Sequence, residues 1–205
     1  MSRIAVIDYG MGNLHSVSKA LQKVSTIEEI IVTSDPVLIE HSDKIVLPGV
    51  GSIRDCMNAL RKDDLHKIVR HNIASKPTLA ICVGMQMLLE SSEENLGTEG
   101  LGIIEGRSEL FKSSESVRVP HMGWNQIQQT QDHHMWTDIP DGSYFYFVHS
   151  YACKESDHAV GISNHGQDFI SALCKENIFA VQFHPEKSQE VGLQLYKNFI
   201  SWEGF

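Results

Sequence analysis

The chain has 205 residues, of which 41% are hydrophobic, 21% charged and 8% aromatic, with a formal net charge of −9. That length buries one sizeable core and reads as one domain over 1–205, and the composition excludes a disordered or collagen-like chain. The acidic balance and scattered basic residues argue against a nucleic-acid partner, because nothing gathers the positive charge that binding to phosphates needs.

The first apolar run, Ile4 to Ile7, closes at Asp8, Gly10 and Gly12 and predicts a buried parallel strand. It is too short for a secretory signal, and no stretch approaches the roughly 18 apolar residues of a membrane span. A cytoplasmic protein with no membrane contact is expected. Leu14, Val17, Ala20, Leu21 and Val24 recur at helical spacing, with Asn13 placed to cap. Ile30 to Thr33 predicts the next strand, with a turn at Asp35-Pro36. Lys44 to Leu47 predicts another, stopped by Pro48-Gly49. Ser52 to Ala74 is helical with a break near Asp63 and Asp64, and Thr78 to Ile81 is a strand running straight into the helical pattern from Cys82. Strand and helix in alternation predict an α/β fold: an open, mostly parallel central sheet with helices on both faces.

From Ser92 to Gly142 the chain is richer in Gly, Ser, Gln and charge, with short β-like pieces such as Trp124 to Gln128. Tyr144 to Val148 and Phe179 to Phe183 read as strands, and Glu190 to Trp202 as a terminal helix. The later strands suggest a small antiparallel extension.

Four cysteines occur, Cys56, Cys82, Cys153 and Cys174, without any Cys-x-x-Cys pair. That disfavours zinc and fits free thiols. Only Cys82 sits where a strand becomes a helix. A turn there pushes the side chain out of the sheet, and the helix N-terminus offers unpaired N–H groups and a positive dipole end. Such a setting activates a thiol and stabilises an oxyanion. A buried core cysteine is the alternative there, and the other three read as inert.

A thiol that cleaves an amide needs an acid/base partner, and Phe183-His-Pro-Glu186 offers one at the end of a late strand. Pro185 pushes His184 toward extended backbone, which would send His184 and Glu186 to one side. Glu186 could then hold the imidazole. His133-His134 lies in a polar loop with no matching ligand set. Pro48-Gly-Val-Gly51 lets backbone approach a ligand closely, or is an ordinary loop. No Gly-Lys-Ser/Thr follows to make it a phosphate cradle.

Together, the cysteine elbow, Pro48-Gly-Val-Gly51 and Gln182-Phe-His-Pro-Glu-Lys-Ser188 resemble the signature of the class I (triad-type) glutamine amidotransferases, and they span the chain. Asp8-Tyr-Gly-Met-Gly-Asn13, Cys82-Val-Gly-Met-Gln86, Pro120-His-Met-Gly-Trp-Asn125, Phe147-Val-His-Ser-Tyr151 and Glu190-Val-Gly-Leu193 are most similar to one branch of that family. That branch serves a barrel cyclase of histidine biosynthesis.

The resemblance implies a glutaminase with Cys82 as nucleophile, His184 as proton shuttle and Glu186 as its orienter. It implies an oxyanion hole from the backbone of Gly49, Val50, Gly51 and Val83, and contacts to L-glutamine from Gln86, Ser150 and Tyr151. No metal and no cofactor is implied. Ammonia would pass to a HisF-type (β/α)8-barrel subunit in a heterodimer, with Asn13, His121, Met122, Trp124 and Asn125 at the interface. Ala80 departs from the glycine that the family usually has two residues before the nucleophile. Two other readings stay open from sequence: a paralogue serving surface-sugar synthesis or another acceptor, and a scaffold subunit without activity.

Overall fold

Apolar strands that alternate with one-sided helices bury most surface as a parallel sheet between helical layers. The computed structural model describes residues 2–25, 27–115 and 117–204, and it has that arrangement. The first half runs β1 (Arg3–Ile7), α1 (Leu14–Val24), β2 (Glu29–Thr33), α2 (Pro36–Glu40), β3 (Lys44–Gly49), α3 (Ile53–Arg61), α4 (Leu65–Ile73), β4 (Thr78–Cys82) and α5 (Val83–Leu88). Short strands follow: β5 (Ser91–Ser92), β6 (Thr98–Glu99), β7 (Arg107–Leu110), β8 (His121–Gln126) and β9 (Gln128–Gln129). The chain ends with β10 (Tyr144–His149), β11 (Tyr151–Cys153), β12 (Ala159–Asn164), β13 (Asp168–Lys175), β14 (Ile178–Val181) and α6 (Gln189–Ser201).

The central sheet has eight strands in the order β2-β1-β3-β4-β14-β13-β12-β9. The first five pair parallel, and β13, β12 and β9 extend the sheet antiparallel. Ile4 to Ile7, Ile45 to Leu47, Leu79 to Ile81 and Phe179 to Val181 are buried and form the middle of the core. The helices divide into two packed groups, α1 with α6, and α2 to α5 among themselves. Lys44, buried at the start of β3, donates to the carbonyls of Phe199 and Trp202 and so ties the end of α6 to the sheet. β8 pairs with β10, and β11-β7-β5-β6 form a further small sheet. Among the described residues no helix is long and apolar enough to cross a membrane.

Local chemistry explains the boundaries. Ser52 caps α3 by accepting from the Asp55 N–H, and left-handed backbone at Asp63 and Asp64 (φ 55° and 59°) breaks α3 from α4 where the sequence predicts. Three expectations need correction. Asn13 stands at the N-cap of α1 but makes no side-chain capping bond. Asp35-Pro36 opens a short helix rather than a simple turn, because the Asp35 carboxylate accepts from the Val37 N–H at 2.8 Å. β3 does not stop at Leu47: Pro48 and Gly49 pair in register with Ile81 and Cys82 of β4. The strands of the second half mostly escape sequence reading, since β12 and β13 carry polar and apolar residues without clean alternation.

Close approach of α5 to β3 requires Gly84. A Cβ there would lie 2.0 Å from the Leu47 carbonyl oxygen. Gly84→Ala is therefore expected to cost about 3 kcal/mol of stability, read as a lower urea midpoint. An unchanged midpoint would mean that this contact does not set the position of α5.

Candidate active site

Parallel order places the carboxyl ends of β3, β4 and β14 side by side, and ligands bind at such ends in open α/β sheets. β4 lies in the middle and ends on Cys82. Gly49 of β3 is its register partner, and β14 on the other side leads within three residues to His184. Cys82 has φ 55° and ψ −112°, a conformation that side-chain-bearing residues avoid. The turn needs bare backbone around it: a Cβ on Gly49 would lie 2.6 Å from the Gly84 nitrogen. Ala80, two residues before the cysteine, is fully buried and leaves the turn intact. The thiol lies 3.9 Å from the Val148 carbonyl, and the Gln182 amide lies 3.8 Å from the sulfur.

His184 is extended (φ −106°, ψ 97°), as a residue before proline should be. Its N–H donates to the Tyr146 carbonyl at 2.9 Å, and its own carbonyl accepts from the Ser188 hydroxyl at 2.7 Å. The extended run stops there, because Pro185–Lys187 forms a single 3₁₀ turn. That turn, rather than strand alternation, brings the Glu186 carboxylate to 2.8 Å from Nδ1 of His184. Nε2 is buried and makes no hydrogen bond among the described residues. Burial pulls the imidazole down, but Cys82 and then Glu186 outweigh it and raise His184 to about 10.

Sequence reasoning missed Tyr196. Its side chain is fully buried and interacts with the Glu186 carboxylate. Neither the Tyr196 hydroxyl nor Glu186 Oε2 makes a hydrogen bond among the described residues. Gly192, one helical turn earlier on the same face, lets α6 come this close, since a Cβ there would lie 1.9 Å from the Pro185 carbonyl. That glycine–tyrosine spacing is the only signal the sequence carried.

A cavity of about 350 Å³ opens beside these groups, lined by Val50, Gly51, Cys82, Val83, Gln86, His149, Ser150, Tyr151 and His184, among others. The Gln86 amide turns inward, donating to the Tyr151 carbonyl and to Gln182 Oε1, each at 3.0 Å. The carbonyls of Pro48 and Val50 are held away by the Tyr9 hydroxyl (2.6 Å) and the Cys56 thiol (3.3 Å). In a trans peptide the Gly51 N–H points opposite to the Val50 carbonyl. Gly49 itself faces the start of α5 rather than the cavity.

A family model described as class-I glutamine amidotransferase matches residues 5–202. The chain belongs to the class I glutamine amidotransferases. It is an enzyme of that family. The imidazole glycerol phosphate synthase subunit HisH of Acinetobacter baylyi is 53% identical over 205 residues, covering 98% of this chain and 99% of the relative. That of Pseudomonas putida is 50% identical over 211 residues, covering 100% and 99%. PurLQS from Thermotoga maritima has a TM-score of 0.72 at 18% identity, covering 97% of each chain, which speaks to the fold alone.

Within this amidotransferase the residues expected at a partner face divide. Met122 and Trp124 project outward, 63% and 45% exposed, so Trp124 does not fill the core. His121 lies on the opposite side of β8 and is buried, while Asn125 and Asn13 are half-buried. Cys153 and Cys174 are pushed up by burial to about 11, and burial raises Cys56 as well. All four cysteines are free, and among the described residues no group of three or more His, Cys, Asp or Glu could hold a metal.

Burial lowers His121 to about 4 and His149 to about 3. An unfolded chain takes up protons on both rings below about pH 6.5, whereas the folded chain resists until those lower values. The stability linked to these rings is therefore full above about pH 6.5 and falls as the pH drops through the window toward 4 and 3. Urea midpoints measured between pH 7 and pH 4.5 should fall less steeply for His149→Leu than for the natural chain (the window follows from about pH 6.5). Equal slopes would contradict the assignment.

Proposed function

We propose that this chain is the glutaminase subunit of an imidazole glycerol phosphate synthase, hydrolysing L-glutamine through Cys82, His184 and Glu186. The observation that carries the reading is the buried 2.8 Å contact between Glu186 and His184 Nδ1, with Nε2 free and Cys82 in the same cavity. Full-length similarity to HisH subunits supports the choice of acceptor branch.

Cys82 Sγ attacks the side-chain carbonyl carbon of glutamine, and its proton passes to His184 Nε2. The ring, paired through Nδ1 with Glu186, holds that proton until the leaving nitrogen takes it. The carbon–nitrogen bond breaks, ammonia departs and a glutamyl thioester remains on sulfur. Water then attacks the thioester and gives its proton to His184, the carbon–sulfur bond breaks, and glutamate leaves. Glu186 keeps Nδ1 protonated and Nε2 aimed at sulfur. The Val83 N–H at the start of α5, together with N–H groups of the Val50–Gly51 segment, stabilises the oxyanion. Gly49 contributes by letting that segment pack against α5. Gln86, Ser150 and Tyr151 line the cavity where glutamine would sit.

Ammonia passes to a (β/α)8-barrel cyclase of the HisF type, docked on the face that carries the exposed Met122 and Trp124. The heterodimer works in the cytoplasm, in histidine biosynthesis. In that complex, Cys82→Ala should lower glutamine-dependent turnover by at least about 10³-fold while turnover with added ammonium salt persists. Retained glutamine turnover would reject Cys82 as nucleophile, and loss of both activities would reject the division of labour between subunits.

A further inference from the structure

A line of hydrogen bonds, buried at its centre, runs from the nucleophile to β8, and the two histidines in it take no part in the chemistry above. It begins at Gln182, whose amide nitrogen lies 3.8 Å from the Cys82 sulfur. Gln182 Oε1 accepts from Gln86 Nε2 at 3.0 Å, and the same nitrogen donates to the Tyr151 carbonyl at 3.0 Å. That carbonyl also meets His149 Nδ1 at 2.9 Å. His149 Nε2 meets His121 Nδ1 at 2.9 Å, and His121 Nε2 meets the Asn125 amide nitrogen at 3.2 Å. The Asn125 amide also donates to the Asn164 carbonyl at 2.8 Å.

The proton positions along this line follow from the partners. A carbonyl only accepts, so His149 carries its proton on Nδ1. In a neutral ring Nε2 is then an acceptor, so the His121 proton sits on its Nδ1. His121 Nε2 is left to accept, and an amide nitrogen is what faces it. A second proton on either ring would set two donors against each other. His121 and His149 are register partners across β8 and β10, and Phe111, Phe147 and Phe169 pack around them. Burial disfavours charge on either ring.

We propose that His121 and His149 are positioning residues, a pair of single-tautomer imidazoles that fixes the Tyr151 carbonyl, and with it Gln86 and Gln182 beside the nucleophile, to the strand bearing Met122 and Trp124. The proposal rests on the glutaminase reading for its consequence, but the proton positions stand apart from it. Loss of the His149 donor would leave the Tyr151 carbonyl held by Gln86 alone at the wall of the glutamine cavity, so the defect should fall on substrate binding.

Two measurements test this on the chain in complex with its barrel partner. Histidine-selective ¹⁵N NMR should find both rings neutral with the proton on Nδ1. An Nε2–H tautomer, or a charged ring at neutral pH, on either residue overturns the pair. In steady-state kinetics His149→Leu should raise KM for glutamine about tenfold with kcat within about threefold of the natural value. His149→Asn, whose amide nitrogen keeps the donor to the Tyr151 carbonyl, should restore most of that loss. His121→Phe, which keeps the aromatic packing, should raise KM about threefold. Equal impairment of the Asn and Leu variants, an effect on kcat alone, or an unchanged KM in His121→Phe overturns the positioning role. If instead Cys82→Ala retained glutamine turnover while the tautomers were as stated, the glutaminase reading would fail and the imidazole pair would stand.

Discussion

One backbone conformation governs this molecule. Cys82 is held at positive φ where β4 becomes α5, a state that costs roughly 1–3 kcal/mol for a residue with a side chain. A local sequence preference would not keep it there. The parallel neighbours do: β3 and β14 fix β4 on both sides, and α5 is pressed so close to β3 that Gly49 and Gly84 have no room for a methyl group. The strain is maintained by packing far larger than itself. Its result is a sulfur displaced from the sheet, at the N-terminal end of α5, facing a cavity.

A second constraint is the placement of the imidazole. His184 is anchored through its backbone at both ends, by Tyr146 and Ser188, before its side chain makes any contact. Glu186 reaches Nδ1 because proline forces a tight turn immediately after the histidine. Tyr196, fully buried in α6, adds its own electrostatic influence on the Glu186 carboxylate. In surroundings this buried, paired groups interact strongly and unpaired ones are costly. The proposed chemistry depends on that balance: the ring is held in place, yet Nε2 remains available.

Much of this is legible in the sequence. Alternating apolar runs gave the parallel half of the sheet, and the pattern at Cys82 is a local signature of a strand-to-helix turn. The proline after His184 signals the bend in that segment, although the 3₁₀ turn replaces the expected extended geometry. Other parts were not legible, for a common reason: they are long-range. Nothing near Gln182 in sequence says that it will meet Gln86, 96 positions away. His121 looks like a surface residue beside Met122 and Trp124 until the pairing of β8 with β10 turns it inward against His149. Asn13 looks like a helix cap by type, and yet its side chain makes no capping bond. Residue type and spacing specify local backbone well, whereas the partner across a sheet depends on how distant strands meet.

The central claim is that the Cys82 sulfur is the nucleophile for glutamine, and a covalent label tests it most directly. The chain, in complex with the proposed barrel partner, would be treated with a diazoketone analogue of glutamine, digested and mapped by mass spectrometry. The account predicts a single adduct on the peptide carrying Cys82, suppressed by excess glutamine and absent from the His184→Asn variant. An adduct on Cys56, Cys153 or Cys174 instead, or labelling of Cys82 that glutamine does not suppress, would contradict it.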